Sequence, residues 1–287
     1  MEKRSGLNRA ISAILTAVLI IELIAVFAVS VLKYTIGSKE YIIATLDKVN
    51  YYQTTKNEIE DAFKYYVLQS NLDDECVEDI ITVEKVKKDT LIVLNKFYDG
   101  SKEDVEVDSI KEELHKRINE KVEKEYNNFI TDDEKKDIEK LVDIIVDNYS
   151  NNMETIESCF NATAKIAKVA NRIQDKYVKL AYGVTIVTIV LLSVLYISGT
   201  KNKKIIFNKY HAIAFMTVGF ILIIGSIVLL VFVKEDQIQI FTKGITAVIV
   251  EIIKNVKSII AITGGSLFGA GLIMAIVKSI LLRKYLR

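Results

Sequence analysis

Few residues of this chain have the types and spacing that catalysis requires. There are only two histidines, His115 and His211, and neither lies in an HExxH zinc motif or another catalytic context. A GxSxG elbow, a Walker A loop, a dinucleotide fingerprint and an EF-hand are all missing from the sequence. We therefore predict that the protein is not an enzyme and that it has no catalytic residues, no cofactor and no metal site.

Glu22 is the residue whose position most suggests a function, because it interrupts a long apolar run. At about 1.5 Å per residue it lies roughly 18 Å from the basic end of that run, near the middle of a bilayer, where an ionised carboxylate is costly. It could act as a proton relay, as a ligand in an ion path or as the partner of a cation in another subunit. Alternatively, it is a protonated glutamic acid that is hydrogen-bonded to Thr185 or Thr188 and joins two helices. The sequence leaves both alternatives open.

The element that carries Glu22 is one of four predicted membrane spans. A helix needs about 20 apolar residues to cross about 30 Å of hydrocarbon, and each of the four segments is long enough. Strands would have to close into a barrel to satisfy their backbone groups in lipid, so the spans are predicted to be helices. The predicted spans are residues 10–32, 177–198, 212–233 and 264–282.

Basic residues give the predicted orientation of these spans. Lys and Arg cluster in three short segments, which the positive-inside rule assigns to the cytoplasm: 1–9, 199–211 and 283–287. Both termini are then cytoplasmic, and the protein is a multi-pass protein of the cell membrane. A cleaved signal peptide ending near Ala28-Val29-Ser30 is the alternative, but the first run is longer than the 7 to 15 apolar residues that are usual there.

The fold class predicted from this layout is an all-α integral membrane protein with four transmembrane helices and a helical extracytoplasmic domain, residues 33–176, between the first and the second. Between Ser38 and Tyr182 the chain has no proline and one glycine, Gly100, which favours long helices. Residues 34–176 carry 21 basic and 32 acidic side chains, a net charge of −11. Nucleic acid is therefore excluded as a partner, whereas cations, basic peptides or a basic protein fit. The alternative is an acidic surface that only keeps the domain soluble.

Helix signals subdivide this domain. The first helix is predicted to continue out of the membrane as far as about Asn71, and Thr82 is predicted to cap a later helix. Two capping boxes, Ser109 with Glu112 and Thr131 with Glu134, predict further helix starts. Residues 234–263 alternate apolar and charged positions at helical spacing, so we expect a separate amphipathic helix that lies on the outer interface or docks against the outer domain.

Small residues and cysteines give the remaining candidate positions. Gly265 and Gly269 form a GxxxG pair in the fourth span, and Gly271 and Ala275 continue a second small-residue stripe. Such residues let helices approach closely, either within one chain or between copies in a homo-oligomer. Cys76 and Cys159 both fall in the predicted outer domain and could form a disulfide if their Cα atoms come within about 7 Å.

One stretch of the sequence resembles known proteins. Residues 71–99, with Asp79-Ile80-Ile81-Thr82 and Phe97-Tyr98-Asp99-Gly100, look like uncharacterised multi-span membrane proteins of low-GC Gram-positive bacteria. The resemblance implies a host type and no activity or site residue. Our leading hypothesis is a non-enzymatic plasma-membrane protein whose acidic helical outer domain binds a partner protein or an external signal. The alternative is a subunit of an oligomeric channel or transporter that uses Glu22.

Overall fold

The computed structural model describes residues 6–125, 131–173, 175–198, 209–238 and 242–285. The described residues are mostly helical and form no strand, which confirms the predicted all-helical class. The helices are α1 (Gly6–Tyr34), α2 (Lys39–Lys48), α3 (Tyr51–Gln69), α4 (Val83–Tyr98), α5 (Asp108–Glu125), α6 (Asp132–Arg172), α7 (Asp175–Ser198), α8 (Lys209–Phe232) and α9 (Lys243–Tyr285).

Four of these helices, α1, α7, α8 and α9, are long and apolar enough to cross a membrane. Each overlaps one of the four spans predicted from the sequence, at 10–32, 177–198, 212–233 and 264–282, and α8 ends one residue before the end of the third. The basic segments that set the predicted orientation lie largely outside the described residues, since 1–5, 199–208 and 286–287 are not among them.

The chain divides into two compact units. We call the first the apolar unit; it comprises Met1–Gly37, Val169–Glu235 and Ile252–Arg287. We call the second the charged unit; it comprises Ser38–Lys168 and Asp236–Glu251. Helix α9 contributes to both, with its residues through Glu251 in the charged unit and those from Ile252 in the apolar unit.

In the apolar unit, α1 packs against α7 and α8. Leu19, Leu192, Tyr210 and Ala214 form a buried cluster where the three helices meet. Lys33 at the end of α1 pairs with Asp175 at the start of α7, with 3.9 Å between the charged atoms. This arrangement places the inner face of α1, which carries Glu22, against α7.

The start of the charged unit differs from the sequence prediction. The first helix does not continue to Asn71, because α1 ends at Tyr34 and the Ser38 hydroxyl accepts a hydrogen bond from the Tyr41 amide as the cap of α2. The chain breaks again at Asn50, whose φ of 53° is left-handed, before α3 starts. A side chain that satisfies the first free amides of a helix lets that helix begin independently of the one before it.

Two of the three other predicted helix starts are confirmed. The Thr82 hydroxyl accepts from the Lys85 amide at the start of α4. The Thr131 hydroxyl accepts from the Glu134 amide, and the Glu134 carboxylate accepts from the Thr131 amide at 2.7 Å, which completes the capping box. The prediction at Ser109 is wrong, because α5 already begins at Asp108 and Ser109 lies within its first turn.

We expected residues 234–263 to form a helix separate from the fourth span, but they do not. They contain the first half of α9, which runs unbroken for 43 residues. Charged residues of this segment, which would be costly in a membrane, are paired within the protein. Lys257 is buried and its ammonium donates to the Val233 carbonyl at 2.7 Å and to Glu235 at 2.9 Å, while Glu251 pairs with Lys48 at 2.6 Å.

Candidate functional site

The charged unit contains a cleft of about 220 Å³. Three segments line it: α4, the loop from Asp99 to Val107, and one face of α6. Its floor is apolar and includes the buried side chains of Ile92, Val93 and Met153. The α6 lining residues are 150, 153, 154 and 157, a spacing that places them on one helical face.

Four carboxylates lie at the edge of this cleft, which we call the acidic cleft. Glu103 and Asp104 come from the loop, and Glu154 and Glu157 come from α6. The one lining lysine, Lys96, lies between the two sides: its ammonium is 2.9 Å from Asp104 and 3.9 Å from Glu157. The hydrogen bond from Lys96 to Asp104 raises the pKa of that lysine. The acidic cleft therefore already stabilises one ammonium group between opposite walls.

The N-terminus of α9 is held within the charged unit by a carboxylate of α3. Glu58 accepts hydrogen bonds from the amides of Lys243 at 2.7 Å and Gly244 at 3.4 Å. Gly244 lies so close to α3 that an added Cβ would stand 2.7 Å from the Thr55 hydroxyl oxygen. A carboxylate at this position satisfies free amides and opposes the positive end of the helix dipole. The start of α9 is thus fixed on α3.

A buried polar group also lies in the core of the charged unit. Asp89 is fully buried, accepts a hydrogen bond from the Tyr149 hydroxyl and pairs with Lys85 at 3.0 Å. Burial, followed by the hydrogen bond to Asp89, raises the pKa of Tyr149 well above its ordinary value. With these partners, the Asp89 carboxylate is a structural group that joins α4 to α6.

Glu22 contacts one of the two threonines that the sequence singled out. The Thr188 hydroxyl on α7 donates to Oε1 of Glu22 at 3.1 Å, whereas the Thr185 hydroxyl donates to the Ala181 carbonyl within its own helix. The other carboxylate oxygen, Oε2, is buried and has no hydrogen-bond partner among the described residues. The Thr188 oxygen also lies 3.2 Å from the Val184 carbonyl. One hydroxyl hydrogen cannot serve both acceptors fully, so Thr188 is shared between Glu22 and the backbone of its own helix.

The predicted small-residue positions of α9 fall on two faces. Gly271 faces α8, where an added Cβ would stand 2.8 Å from the Met216 amide nitrogen. Two further glycines share this contact: Gly264 lies against Ile223, and an added Cβ on Gly219 of α8 would overlap the Phe268 backbone. The GxxxG pair of Gly265 and Gly269 has no heavy atom within 4 Å of an added Cβ, and Ala275 is exposed.

Of the two cysteines of the suggested disulfide, only Cys76 has a described side chain. Cys76 is a free, buried cysteine in a short 3-10 helix (Asp74–Val77), and its thiol donates to the Asp73 carbonyl at 2.7 Å. Cys159 lies in α6, and its side chain falls outside the described ones. The structure therefore gives the suggested disulfide no support.

Sequence reasoning missed the acidic cleft and Glu58. The cleft joins residues that are about 60 positions apart, and the pairing of α4 with α6 cannot be read from either helix alone. The α6 face of Ser150, Met153, Glu154 and Glu157 is the one signal that was available, since it mixes small, apolar and acidic residues at helical spacing. Comparisons of the chain with protein-family models, curated proteins and solved structures gave no match.

Proposed function

We propose that this chain is a non-enzymatic multi-pass membrane protein whose charged unit lies outside the cell and binds a partner protein or an external signal. The proposed orientation rests on the positive-inside rule, and the proposed location in the plasma membrane rests on the resemblance to multi-span proteins of low-GC Gram-positive bacteria. The net charge of −11 over residues 34–176 favours a cationic partner.

The observation that carries this proposal is the continuity of α9. At about 1.5 Å per residue, its 43 residues extend roughly 64 Å, about twice the hydrocarbon thickness of a bilayer. Its first turn is capped by Glu58 inside the charged unit, and its residues from Ile252 onward belong to the apolar unit. A partner that binds the charged unit therefore acts on a helix that also forms a membrane span. The predicted cytoplasmic loop between the second and third spans, 199–211, has 13 residues, which is too few for a signalling domain. We therefore infer that a signal passes to another membrane protein.

Cysteine accessibility tests the location of the charged unit. Asn119→Cys and Lys203→Cys are introduced one at a time into a background that carries Cys76→Ser and Cys159→Ser, and intact cells are treated with a membrane-impermeant maleimide. We expect labelling at position 119 in intact cells and at position 203 only after permeabilisation. The reverse pattern would contradict the proposal.

Partner binding is tested separately by crosslinking in intact cells with an impermeant amine-reactive reagent. Lysines of the charged unit, among them Lys102, Lys124 and Lys136, are exposed and available to it. We expect mass spectrometry to map crosslinks from this unit to another protein or to a second copy of the chain. A charged unit that is labelled by the reagent but crosslinks to nothing would argue against a binding function.

A channel or transporter subunit is the second candidate, and the unpartnered Oε2 of Glu22 favours it. Glu22→Gln and Glu22→Leu separate the two roles in liposomes that contain a proton-sensitive or cation-sensitive dye. If the charge moves ions or protons, Gln abolishes flux and leaves the fold intact. If Glu22 joins helices, Gln is nearly silent and Leu loses about 1 to 2 kcal/mol of helix association. Wild-type flux equal to that of empty liposomes would exclude transport under those conditions.

A further inference from the structure

The acidic cleft has the two features that a basic side chain needs. An aliphatic stem requires apolar contact, which Ile92, Val93 and Met153 provide, and the charged head requires carboxylates at the edge. Lys96 shows this complementarity within the chain, because its ammonium lies between Asp104 and Glu157. Glu103 and Glu154 are exposed and have no side-chain partner among the described residues, so two carboxylates of the edge remain for a second cation.

The size of the acidic cleft favours a side chain over a separate small molecule. Its volume of about 220 Å³ is below the roughly 300 to 1,000 Å³ that is usual for sites of drug-sized ligands. A single anchoring side chain needs less room, since the rest of its protein makes contacts outside the cleft. Arginine is enriched among the residues that dominate the binding energy of protein interfaces, where such residues fill desolvated pockets.

We propose that the acidic cleft receives an arginine or lysine side chain of a partner polypeptide, with its stem on the apolar floor and its charged head between Glu103 and Glu154. This inference rests on the proposed function and specifies which surface of the charged unit contacts the partner. Lys96 acts as a competing cation that the chain itself supplies. Its removal frees Asp104 and Glu157 and strengthens binding, whereas removal of an edge carboxylate weakens it.

The test uses the full chain in nanodiscs of zwitterionic lipid and a fluorescent hexapeptide of alternating arginine and leucine, with empty nanodiscs as background. Anisotropy titrations compare the wild type with Glu154→Gln, Glu103→Gln and Lys96→Met. We expect the first two variants to bind about two- to fivefold more weakly and Lys96→Met to bind more tightly by a similar factor. Glu123→Gln is the matched control, since Glu123 is an exposed carboxylate of α5 outside the cleft, and it should bind like the wild type.

Three results would overturn the inference. Equal weakening by Glu154→Gln and Glu123→Gln would mean that the peptide senses only the overall negative charge. Weaker binding by Lys96→Met would mean that Lys96 is not a competitor. Binding of spermidine with no binding of the peptide would assign the cleft to a small cation. Crosslinks from other parts of the charged unit to a partner would in each case leave the broader function standing.

Discussion

The two units expose opposite kinds of surface. In the charged unit large apolar side chains such as Phe63 and Tyr149 are fully buried, and ion pairs such as Lys111–Asp143 are partly exposed. In the apolar unit many large apolar side chains face outward, including Phe220 at 55% and Phe232 at 80% exposure. Outward apolar surface on this scale is stable only in hydrocarbon, whereas the first pattern is that of a protein core in water. One chain therefore encodes folding in two solvents.

The means of packing differ as well. Helices of the charged unit meet through large interlocking side chains, whereas α8 and α9 in the apolar unit meet backbone to backbone at Gly219, Gly264 and Gly271. Lipid gives no hydrophobic drive for helix association, so close van der Waals contact has to stabilise these helices. Stability should thus depend on side-chain volume in one unit and on the absence of a side chain in the other.

The largest expected effect is the loss of a core side chain in the charged unit. Phe63→Ala should reduce the free energy of unfolding by about 3 to 5 kcal/mol, because it removes a fully buried ring and leaves a cavity. In a Cys159→Ser background, urea-dependent labelling of the buried Cys76 thiol reports the opening of this unit. The control is Tyr65→Ala, whose ring is 60% exposed and whose loss should matter little. Equal shifts for the two variants would mean that burial does not govern this unit.

A smaller effect is expected in the apolar unit, where adding a side chain rather than removing one should be destabilising. Gly219→Ala should cost about 1 to 3 kcal/mol, since the new methyl group meets the Phe268 backbone, which cannot move aside as a flexible side chain can. Gly265→Ala is the matched control in the facing helix, because its Cβ meets no heavy atom within 4 Å. Melting temperatures of the full chain in detergent measure both. A Gly265→Ala variant that is destabilised as much as Gly219→Ala would contradict the assignment of the packed face.

The contrast between the units also shows what the sequence could predict. The four spans were predictable because each is a local run of sufficient length, and so was the cap at Thr131, which depends on residues three positions apart. The break at Ser38 was missed because a favourable local cap competes with helix continuation, and no strong helix breaker other than Gly37 marks it. The continuity of α9 was missed because Lys257 is charged, and its burial is offset by Glu235 and a carbonyl of the preceding helix end. The acidic cleft was beyond reach, because it depends on the tertiary pairing of α4 with α6.

The smallest expected effect concerns α9, the helix to which both units contribute. Glu58→Ala removes the carboxylate that caps α9 within the charged unit, and loss of a helix cap costs about 1 kcal/mol. The rest of α9 should remain folded, since its later residues pack through the contacts of Gly264 and Gly271. The effect should therefore be local, confined to the first turns of the helix.

Hydrogen exchange measured by mass spectrometry resolves such a local change. Peptides that cover residues 242–251 should exchange about fivefold faster in Glu58→Ala, which is the factor that about 1 kcal/mol represents, while peptides from 264–280 should be unchanged. Glu58→Gln keeps an acceptor but loses the interaction of a negative charge with the helix dipole, so it should lie between Ala and the wild type. Asp61→Asn is the control, because it removes an exposed carboxylate of α3 that does not contact α9. If exchange rises along the whole of α9 in Glu58→Ala, the cap holds the entire helix and the two units do not stabilise it independently; if exchange does not rise at all, the charged unit holds α9 by other contacts.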